Sequence, residues 1–504
     1  MNLLLLFALC VLVSIVFIRL SISAANAVNI SDTPAPGSNH KLHDTVTPFV
    51  GGVGVLAALC VAIFFLIDIH SDSFYKYAAL GIIAITIFSI GFVDDVLTLN
   101  YKSRFFIQIL SVFIMILFGG VALSDFGGIL FSASLQTYHA VIPITIFAVI
   151  GVINSLNMID GVDGLSGSVS FVTLLLIGTV AFIADDRHNL MLTTALIGGV
   201  LGFLYFNLRY RKQRYARVFL GDNGSMLLGL LLAWLLVDLS QGSNRAMTPV
   251  TALWLFSVPL MDTLTVMLRR VWLGKSPFAP DRYHLHHLMQ RADFRVPEIV
   301  FIIVLLHTLL GIIGLMGLYL GISETTMFIC FLLFFSGYCF LTIRPWRFIP
   351  LLRHLYVLLN TRLSFSPIAR DGIFTSSYSA KQTEGIAKVV SKALEISLNY
   401  GYGLKVYEQL LKRSDCGKRF SIMMSVWPDK KEYVSAERLK QYISLLYQQL
   451  KMQQNIQLRQ FTARDYDSAP EVYRSSNAFG ELKAENRRRL GPQALVFEVT
   501  YCEE

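Results

Sequence analysis

The sequence predicts an all-α polytopic membrane protein with about eleven transmembrane helices and a small cytoplasmic α/β C-terminal domain. Three observations carry that prediction. Of 504 residues, 54% are hydrophobic and only 15% charged, against about 25% charged in a soluble domain, and the mean hydropathy is +0.56. Apolar runs long enough to cross a bilayer, about 20 residues each, recur as far as Ile343. Beyond Arg344 the pattern changes to alternating helical and strand-like segments of ordinary polarity.

The runs fall at 3–18, 49–68, 76–93, 104–123, 139–155, 165–183, 190–207, 222–238, 249–268, 298–320 and 325–343. The first has no basic residue before it and Arg19 after it. That charge order argues for a retained helix with its N-terminus outside, not a cleaved signal peptide. An odd number of crossings puts the two chain ends on opposite sides. One set of alternate loops holds Lys41, then Lys102 and Arg104, then Arg209, Arg211, Lys212, Arg214 and Arg217, and finally Arg269, Arg270, Lys275, Arg282, Arg291 and Arg295. The other set holds little more than Lys76, Arg187 and Arg245. The excess of positive charge assigns the first set to the cytoplasm. The net charge of +9 therefore reads as topology and calls for no nucleic acid. Six scattered cysteines lack the spacing of a disulfide framework or a zinc site.

Three regions follow. Residues 1–343 are the membrane core, and 344–365 an amphipathic or linker segment, with Arg347, His354 and Thr361 spaced by seven. Residues 366–504 are a cytoplasmic domain with helical patterns at 383–399 and 436–453 and strands over Arg419–Trp427, Ile456–Thr462 and Ala494–Tyr501. It carries no glycine-rich phosphate loop, and its suggested role is to bind a cytoplasmic partner.

Every chemistry-bearing stretch lies in the basic loops. These are Asp32-Thr33-Pro34 with His40-Lys41-Leu42-His43; Asp94-Asp95, followed by Lys102 and Gln108; Asn154 through Gly167; Phe219-Leu220-Gly221-Asp222-Asn223-Gly224-Ser225; and Asp281-Arg282 with His284-Leu285-His286-His287. Asn157, Asp160 and Asp163 are spaced by three, so on a helical turn they face one way. Two such carboxylates repel unless a cation or donor lies between them. Taken singly the pieces are weak. An Asp-Asp pair is as readily a helix end, Gly-Asp-x-Gly-Ser is a common capped turn, and three histidines can line an ordinary interface. The outer-loop acids Asp68, Asp72, Asp185 and Asp186 read as solvated caps. Jointly, clustered carboxylates with amide oxygens suit Mg²⁺ or Mn²⁺, and the surrounding Lys, Arg and His suit a polyanion. That combination points to phosphoryl transfer at the cytoplasmic mouth, joining a soluble nucleotide-type donor to a lipid acceptor. A transporter would place its polar groups mid-membrane at broken helices; here they gather at one face. A scaffold role fits the tail better than the core.

In this order and on this side, the motifs resemble the polyprenyl-phosphate N-acetylhexosamine-1-phosphate transferase family. It includes the bacterial undecaprenyl-phosphate N-acetylglucosamine-1-phosphate transferases of glycosyltransferase family 4 and the peptidoglycan phospho-N-acetylmuramoyl-pentapeptide transferase. The resemblance covers about residues 1–343; the spacing after Asn207 and the tail lie outside the common core. It implies attack by undecaprenyl phosphate on the sugar-linked phosphate of a UDP-N-acetylhexosamine, with UMP leaving. It implies Mg²⁺ or Mn²⁺ on Asp222, with Asn157 as a further ligand. It makes Asp94, Asp95, Asp222 and His284 catalytic, the first two orienting the lipid phosphate. Asp160 and Asp163 contact the uridine and Phe219 stacks on uracil. Arg282, His284, His286 and His287 bind the pyrophosphate or sugar. Lys41 and Lys102 neutralise phosphates, with His43 and Asn157 also among the substrate-binding residues. His-Leu-His-His in place of three consecutive histidines favours the simple N-acetylhexosamine branch, with UDP-N-acetylglucosamine as default donor over another UDP-N-acetylated sugar or UDP-MurNAc-pentapeptide. His40 stands where relatives often carry Arg, and Ala35–Asn39 is longer than expected. The resemblance further implies the bacterial cytoplasmic (inner) membrane, the start of a lipid-linked cell-surface glycan (O-antigen, enterobacterial-common-antigen-like or exopolysaccharide), and room for a homodimer.

Overall fold

Away from water a backbone must satisfy its own hydrogen bonds, so apolar runs fold as helices. A computed structural model of the chain describes residues 2–28, 47–70, 73–97, 99–129, 140–210, 213, 215–242, 245–277, 283–292, 294–345, 348–349, 351–352, 355, 402–409, 419–428, 456–461 and 495–502. By internal contacts the chain divides into two units, one of Met1–Gln290 with Arg295–Ile343 and one of Arg291–Phe294 with Arg344–Glu504.

The helices of the first region are α1 (Leu3–Val28), α2 (Gly51–Leu66), α3 (Ser73–Leu97), α4 (Tyr101–Leu117), α5 (Val141–Ile159), α6 (Leu165–Ile183), α7 (Arg187–Asn207), α8 (Gly221–Asp238), α9 (Pro249–Leu255), α10 (Ser257–Trp272), α11 (Leu285–Arg291), α12 (Val296–Tyr319) and α13 (Glu324–Thr342). Among the described residues, seven are long and apolar enough to cross a membrane, or eight if one bent pair counts as a span. The expected count of eleven crossings is thus only partly realised by this measure. Helix α2 has 16 residues and α4 has 17, and α8 carries an acid near each end, Asp222 and Asp238.

The run expected as one helix over 249–268 is two, α9 and α10, bent by 85° at Phe256. Pro259 in the first turn of α10 has no N–H to offer the carbonyl of Leu255, so the helix cannot continue through that turn. The expected span 104–123 ends early, at Leu117, where Gly119 and Gly120 follow and Gly120 adopts a positive φ.

Helix α8 is the axis of the core. Every residue from Asn223 to Val237 is buried, so it is surrounded by protein rather than lipid. It packs on α3, α5 and α2, while α7 packs on α1, α2 and α6. The outer helices instead expose large apolar side chains such as Leu4, Phe64, Phe147, Phe182 and Phe340. Such a surface is adverse in water and favourable against lipid tails. The consequence for function is positional. The C-terminal ends of α3 and α5 and the N-terminal end of α8 meet at one end of the bundle.

In the second region four strands are described, β1 (Tyr402–Gln409), β2 (Arg419–Pro428), β3 (Ile456–Phe461) and β4 (Leu495–Cys502). They form one antiparallel sheet in the order β1-β2-β4-β3. The register pairs Tyr402 with Pro428, Phe420 with Tyr501 and Ile456 with Tyr501. Strands β2, β3 and β4 occupy segments expected to be strands, and β1 was not anticipated. The expected helices at 383–399 and 436–453, and most of the amphipathic segment 344–365, lie outside the described residues.

Candidate active site

The site grows from the first turn of α8. Its leading N–H groups have no partner within the helix and carry the positive end of its dipole. Asp95, in the last turn of α3, supplies the partner. Its Oδ1 accepts from the N–H of Asp222 at 2.8 Å, and its Oδ2 from the N–H and side-chain amide of Asn223 at 3.1 and 2.6 Å. Gly221 makes this possible. It sits at φ +74°, and a Cβ there would lie 2.7 Å from Asp95 Oδ2. Asp95 therefore caps α8 from another helix.

The neighbouring Asp94 is 6% exposed. Its Oδ1 accepts from the N–H of Leu99, and its Oδ2 takes the Arg104 guanidinium at 2.6 Å. The same Arg104 nitrogen reaches Asp222 Oδ2 at 3.3 Å. One guanidinium thus serves two carboxylates. Asp222 Oδ1 accepts from the side-chain amide of Asn157 at 2.6 Å, and that amide also donates to Ser225 Oγ at 2.9 Å. Asn157 in this arrangement holds Asp222; as a metal ligand it would have to present its oxygen instead.

The turn after α5 forms the opposite wall. Asp160 accepts from Ser166 Oγ. Burial pushes its carboxyl up to about 7, against the pull of the Ser166 hydrogen bond, and the Asp95 and Asp163 carboxylates add to the rise. Asp163 is 4% exposed and is held by Arg209 Nε at 2.6 Å and the N–H of Ala216 at 3.3 Å. Asn207 completes the clamp, accepting from the N–H of Gly164 and donating to the carbonyl of Val218. Asp163 thus fixes the α5–α6 turn to the segment that follows α7.

Between these walls lies a cavity of about 330 Å³, lined by Phe49, Asp95, Asn157, Asp160, Gly161, Val162, Asp163, Asn207, Phe219, Leu220, Gly221 and Asp222. The Phe49 and Phe219 rings stand 6.1 Å apart and tilted by 42°, an aromatic edge beside the acids. Four carboxylates and, among the described residues, no lysine or arginine line the cavity, although Arg209 and Arg104 reach Asp163 and Asp222 from outside it. A diphosphate entering it meets net negative charge and needs a cation to do so. Oxygen donors of this kind fit Mg²⁺, which keeps several waters and takes further oxygens from substrate phosphate. Among the described residues no three His, Cys, Asp or Glu side chains converge as a ready-made ligand set, so substrate and water would complete the shell.

The histidines arrive on α11. His286 is 1% exposed, with neither ring nitrogen hydrogen-bonded. Burial holds it well below its ordinary pKa, and His287 adds to that. Its Nε2 abuts Gly161, where a Cβ would come within 2.6 Å, so only glycine lets the ring approach the cavity wall. His284 and His286 stack at 5.9 Å and 9°, and His287 lies 4.1 Å from His286.

Of the residues expected from sequence, the structure gathers Asp94, Asp95, Asn157, Asp160, Asp163, Phe219 and Asp222 at this end, with His284, His286 and His287 joined through Gly161. Asp94 stands behind the cavity wall, and Lys102 is exposed on the first turn of α4. Lys41, His43 and Arg282 lie outside the described residues. Sequence reasoning missed the pairing role of Arg104, which it counted only as a topology charge. It also missed Phe49 and Asp262. The signal for Asp262 was present as a lone acid in the apolar run 249–268, and ionisable groups in such runs are functional by default.

Fold and site together define a polytopic membrane protein with an acid-rich cavity at one end of its helical core. Residues 77–240 match the model of glycosyl transferase family 4. The undecaprenyl-phosphate alpha-N-acetylglucosaminyl 1-phosphate transferase of Escherichia coli strain K12 is 33% identical over 332 residues, covering 66% of this chain and 88% of the relative. Proteins of the same name from Yersinia pestis and Haemophilus influenzae are each 34% identical. They cover 67% and 64% of this chain and 90% and 89% of their own lengths. The chain belongs to glycosyl transferase family 4, in its branch of polyprenyl-phosphate N-acetylhexosamine-1-phosphate transferases.

Proposed function

We propose that this chain transfers N-acetylhexosamine-1-phosphate, N-acetylglucosamine-1-phosphate by default, from the UDP-sugar to undecaprenyl phosphate. The coarser activity, sugar-1-phosphate transfer to a polyprenyl phosphate at a membrane, comes with family membership. The finer reading is supported by the names of the relatives and by one observation above all. Among the described residues the cavity presents four carboxylates and no lysine or arginine beside an aromatic edge, a place that suits a nucleoside diphosphate accompanied by a divalent cation.

In this reading an oxygen of the lipid phosphate attacks the phosphorus bonded to the sugar. A new P–O bond forms, the P–O bond to the α-phosphate breaks, and UMP leaves with the bridging oxygen. The lipid phosphate is largely ionised at neutral pH, so no strong base is required. Mg²⁺ or Mn²⁺ on Asp222, when bound, would neutralise charge growing on the leaving phosphate. Asn157 holds the Asp222 carboxylate in place. Asp95 caps the N-terminal turn of α8 and so fixes where Asp222 stands. Asp94 and Arg104 set the charge balance where the lipid phosphate arrives. Phe219 with Phe49 offers a face to uracil, and Asp160 faces the uridine. His284, His286 and His287 bring donors to the diphosphate or sugar from α11.

The proposal extends to setting. The site end of the bundle carries the basic loops, which supports a cytoplasmic site, an outside N-terminus and eleven crossings in a bacterial inner membrane. The product would start a lipid-linked cell-surface glycan. Residues 366–504 would act beside the chemistry, not within it. A donor screen tests the reading. Membranes bearing the protein, with undecaprenyl phosphate and Mg²⁺, should release UMP from UDP-N-acetylglucosamine faster than from other UDP-sugars. Absence of UMP release from every UDP-N-acetylated sugar would sink it.

A further inference from the structure

Asp262 lies in the apolar helix α10 and is 3% exposed. A carboxylate buried there is unfavourable unless donors surround it. Three donors do. Oδ2 faces His284 Nδ1 at 2.8 Å, while Oδ1 accepts from the N–H of Leu285 at 2.9 Å and from the Tyr338 hydroxyl at 2.7 Å. The residues come from α10, from α13 and from the segment entering α11. They are 22 and 76 residues apart in sequence. The N–H of Leu285 can only donate, and Asp262 is met entirely by donor groups. An ionised carboxylate suits that environment, and it requires the His284 proton to sit on Nδ1. His284 in turn is 4% exposed and stacks on His286, whose Nε2 abuts Gly161 at the cavity wall.

We infer that Asp262, steadied by the Tyr338 hydroxyl, is a positioning residue that fixes the tautomer and orientation of His284 for sugar-1-phosphate transfer. The inference rests on the proposed function of the cavity. With Nδ1 committed to Asp262, Nε2 is the nitrogen left for substrate. The N–H of Leu285 shares the same carboxylate, so the start of α11 and the ring are set by one group. An oriented carboxylate behind a working histidine is the same device that metal sites and acyl-transfer enzymes use.

The test uses full-length protein in membranes or detergent. Asp262→Asn keeps the size of the side chain, but its amide can donate to an unprotonated Nδ1 and so reverse the tautomer. We expect kcat for UMP release to fall on the order of 10–100-fold, with KM for the UDP-sugar within about threefold, and Asp262→Glu to recover part of the loss. His284→Gln with Asp262→Asn should be no slower than His284→Gln alone, because a residue that acts through His284 has nothing left to act on. A purely structural aspartate would add its own loss. Imidazole ¹⁵N spectra of histidine-labelled wild type, with His284 assigned by its disappearance in His284→Gln, should show Nδ1 protonated. That readout needs no Asp262 variant to fold. An unprotonated Nδ1 in wild type, additive losses in the double variant, or a folded Asp262→Asn protein within about threefold of wild-type kcat overturns the inference. If wild type releases no UMP at all, it is the transferase reading that fails, and the tautomer measurement still decides the role of Asp262.

Discussion

The two ends of α8 each carry one aspartate, and the protein treats them in opposite ways. At the C-terminal end Asp238 takes both of its oxygens to Lys76 Nζ, at 2.7 and 2.8 Å, and a third bond from the Asn189 amide at 2.8 Å. One acid meets one cation, and the pair ties α3, α7 and α8 together. At the N-terminal end Asp222 shares a single guanidinium with Asp94, at 3.3 and 2.6 Å, and lines a cavity with three further carboxylates. Charge balanced one for one is a structural device. Charge left in excess at a solvent-reachable cavity is a demand for a ligand. The contrast marks Asp238 as a structural acid and, in the proposed reaction, Asp222 as a functional one.

The largest effect belongs to Asp222→Asn. It should reduce UMP release by a factor on the order of 10³ or more, as expected when charge stabilisation at the reacting phosphate is lost. The thermal midpoint in detergent should be unchanged or raised, since a crowded charge has been removed. Near-normal transfer in the variant would remove Asp222 from the chemistry.

Next comes Asp163→Ala, which leaves the largely buried Arg209 guanidinium without its carboxylate. A cost of about 2–3 kcal/mol in stability follows, together with loss of nucleotide binding as the α5–α6 turn loosens. If denaturant unfolding shows no change, Asp163 is not the clamp described above.

Asp160 gives a pH signature. Its folded pKa of about 7 lies above the carboxyl value of an unfolded chain, about 3.9. The native state therefore binds the extra proton between those two values. Stability is full below the lower one and falls as pH rises through the upper one. The substrate-free protein should lose about 2–4 °C of thermal midpoint between mildly acidic and mildly alkaline buffer, and Asp160→Asn should make the slope shallower, the remainder coming from Asp222, whose carboxyl burial also pushes up. A rise over the same range would contradict the assignment.

The smallest effect is the control. Asp238→Asn should cost about 1 kcal/mol, the ordinary worth of a partly exposed ion pair, and leave turnover within about twofold. Selective loss of catalysis with the fold intact would mean that the two ends of α8 are not different in kind.

Much of this was legible along the chain. The apolar runs locate the helices because length and apolarity are local properties. The acids at 94, 95, 160, 163 and 222 announce themselves by clustering in the basic loops. What each acid does was not legible. Asp94 and Asp95 are adjacent, yet one pairs with Arg104 and the other caps α8, a division set by which neighbour each side of α3 meets. The break at Phe256 depends on where Pro259 falls within its turn, not on hydropathy. The Asp262 and Tyr338 contact joins α10 to α13 through partners that no periodicity connects. In the tail, β1 escaped notice because Tyr402–Gln409 mixes charged and apolar residues without clean alternation.

In the proposed reaction the cation binds at the Asp222 end of α8 and nowhere else along it. Manganese binding reports this directly. Titration of Mn²⁺ into the purified protein in the presence of UDP-N-acetylglucosamine, followed by the loss of the free-ion electron paramagnetic resonance signal, should give one site in wild type and in Asp238→Asn. In Asp222→Asn the same site should weaken by a factor on the order of 10–100. Equal Mn²⁺ affinity in the two variants would contradict the claim.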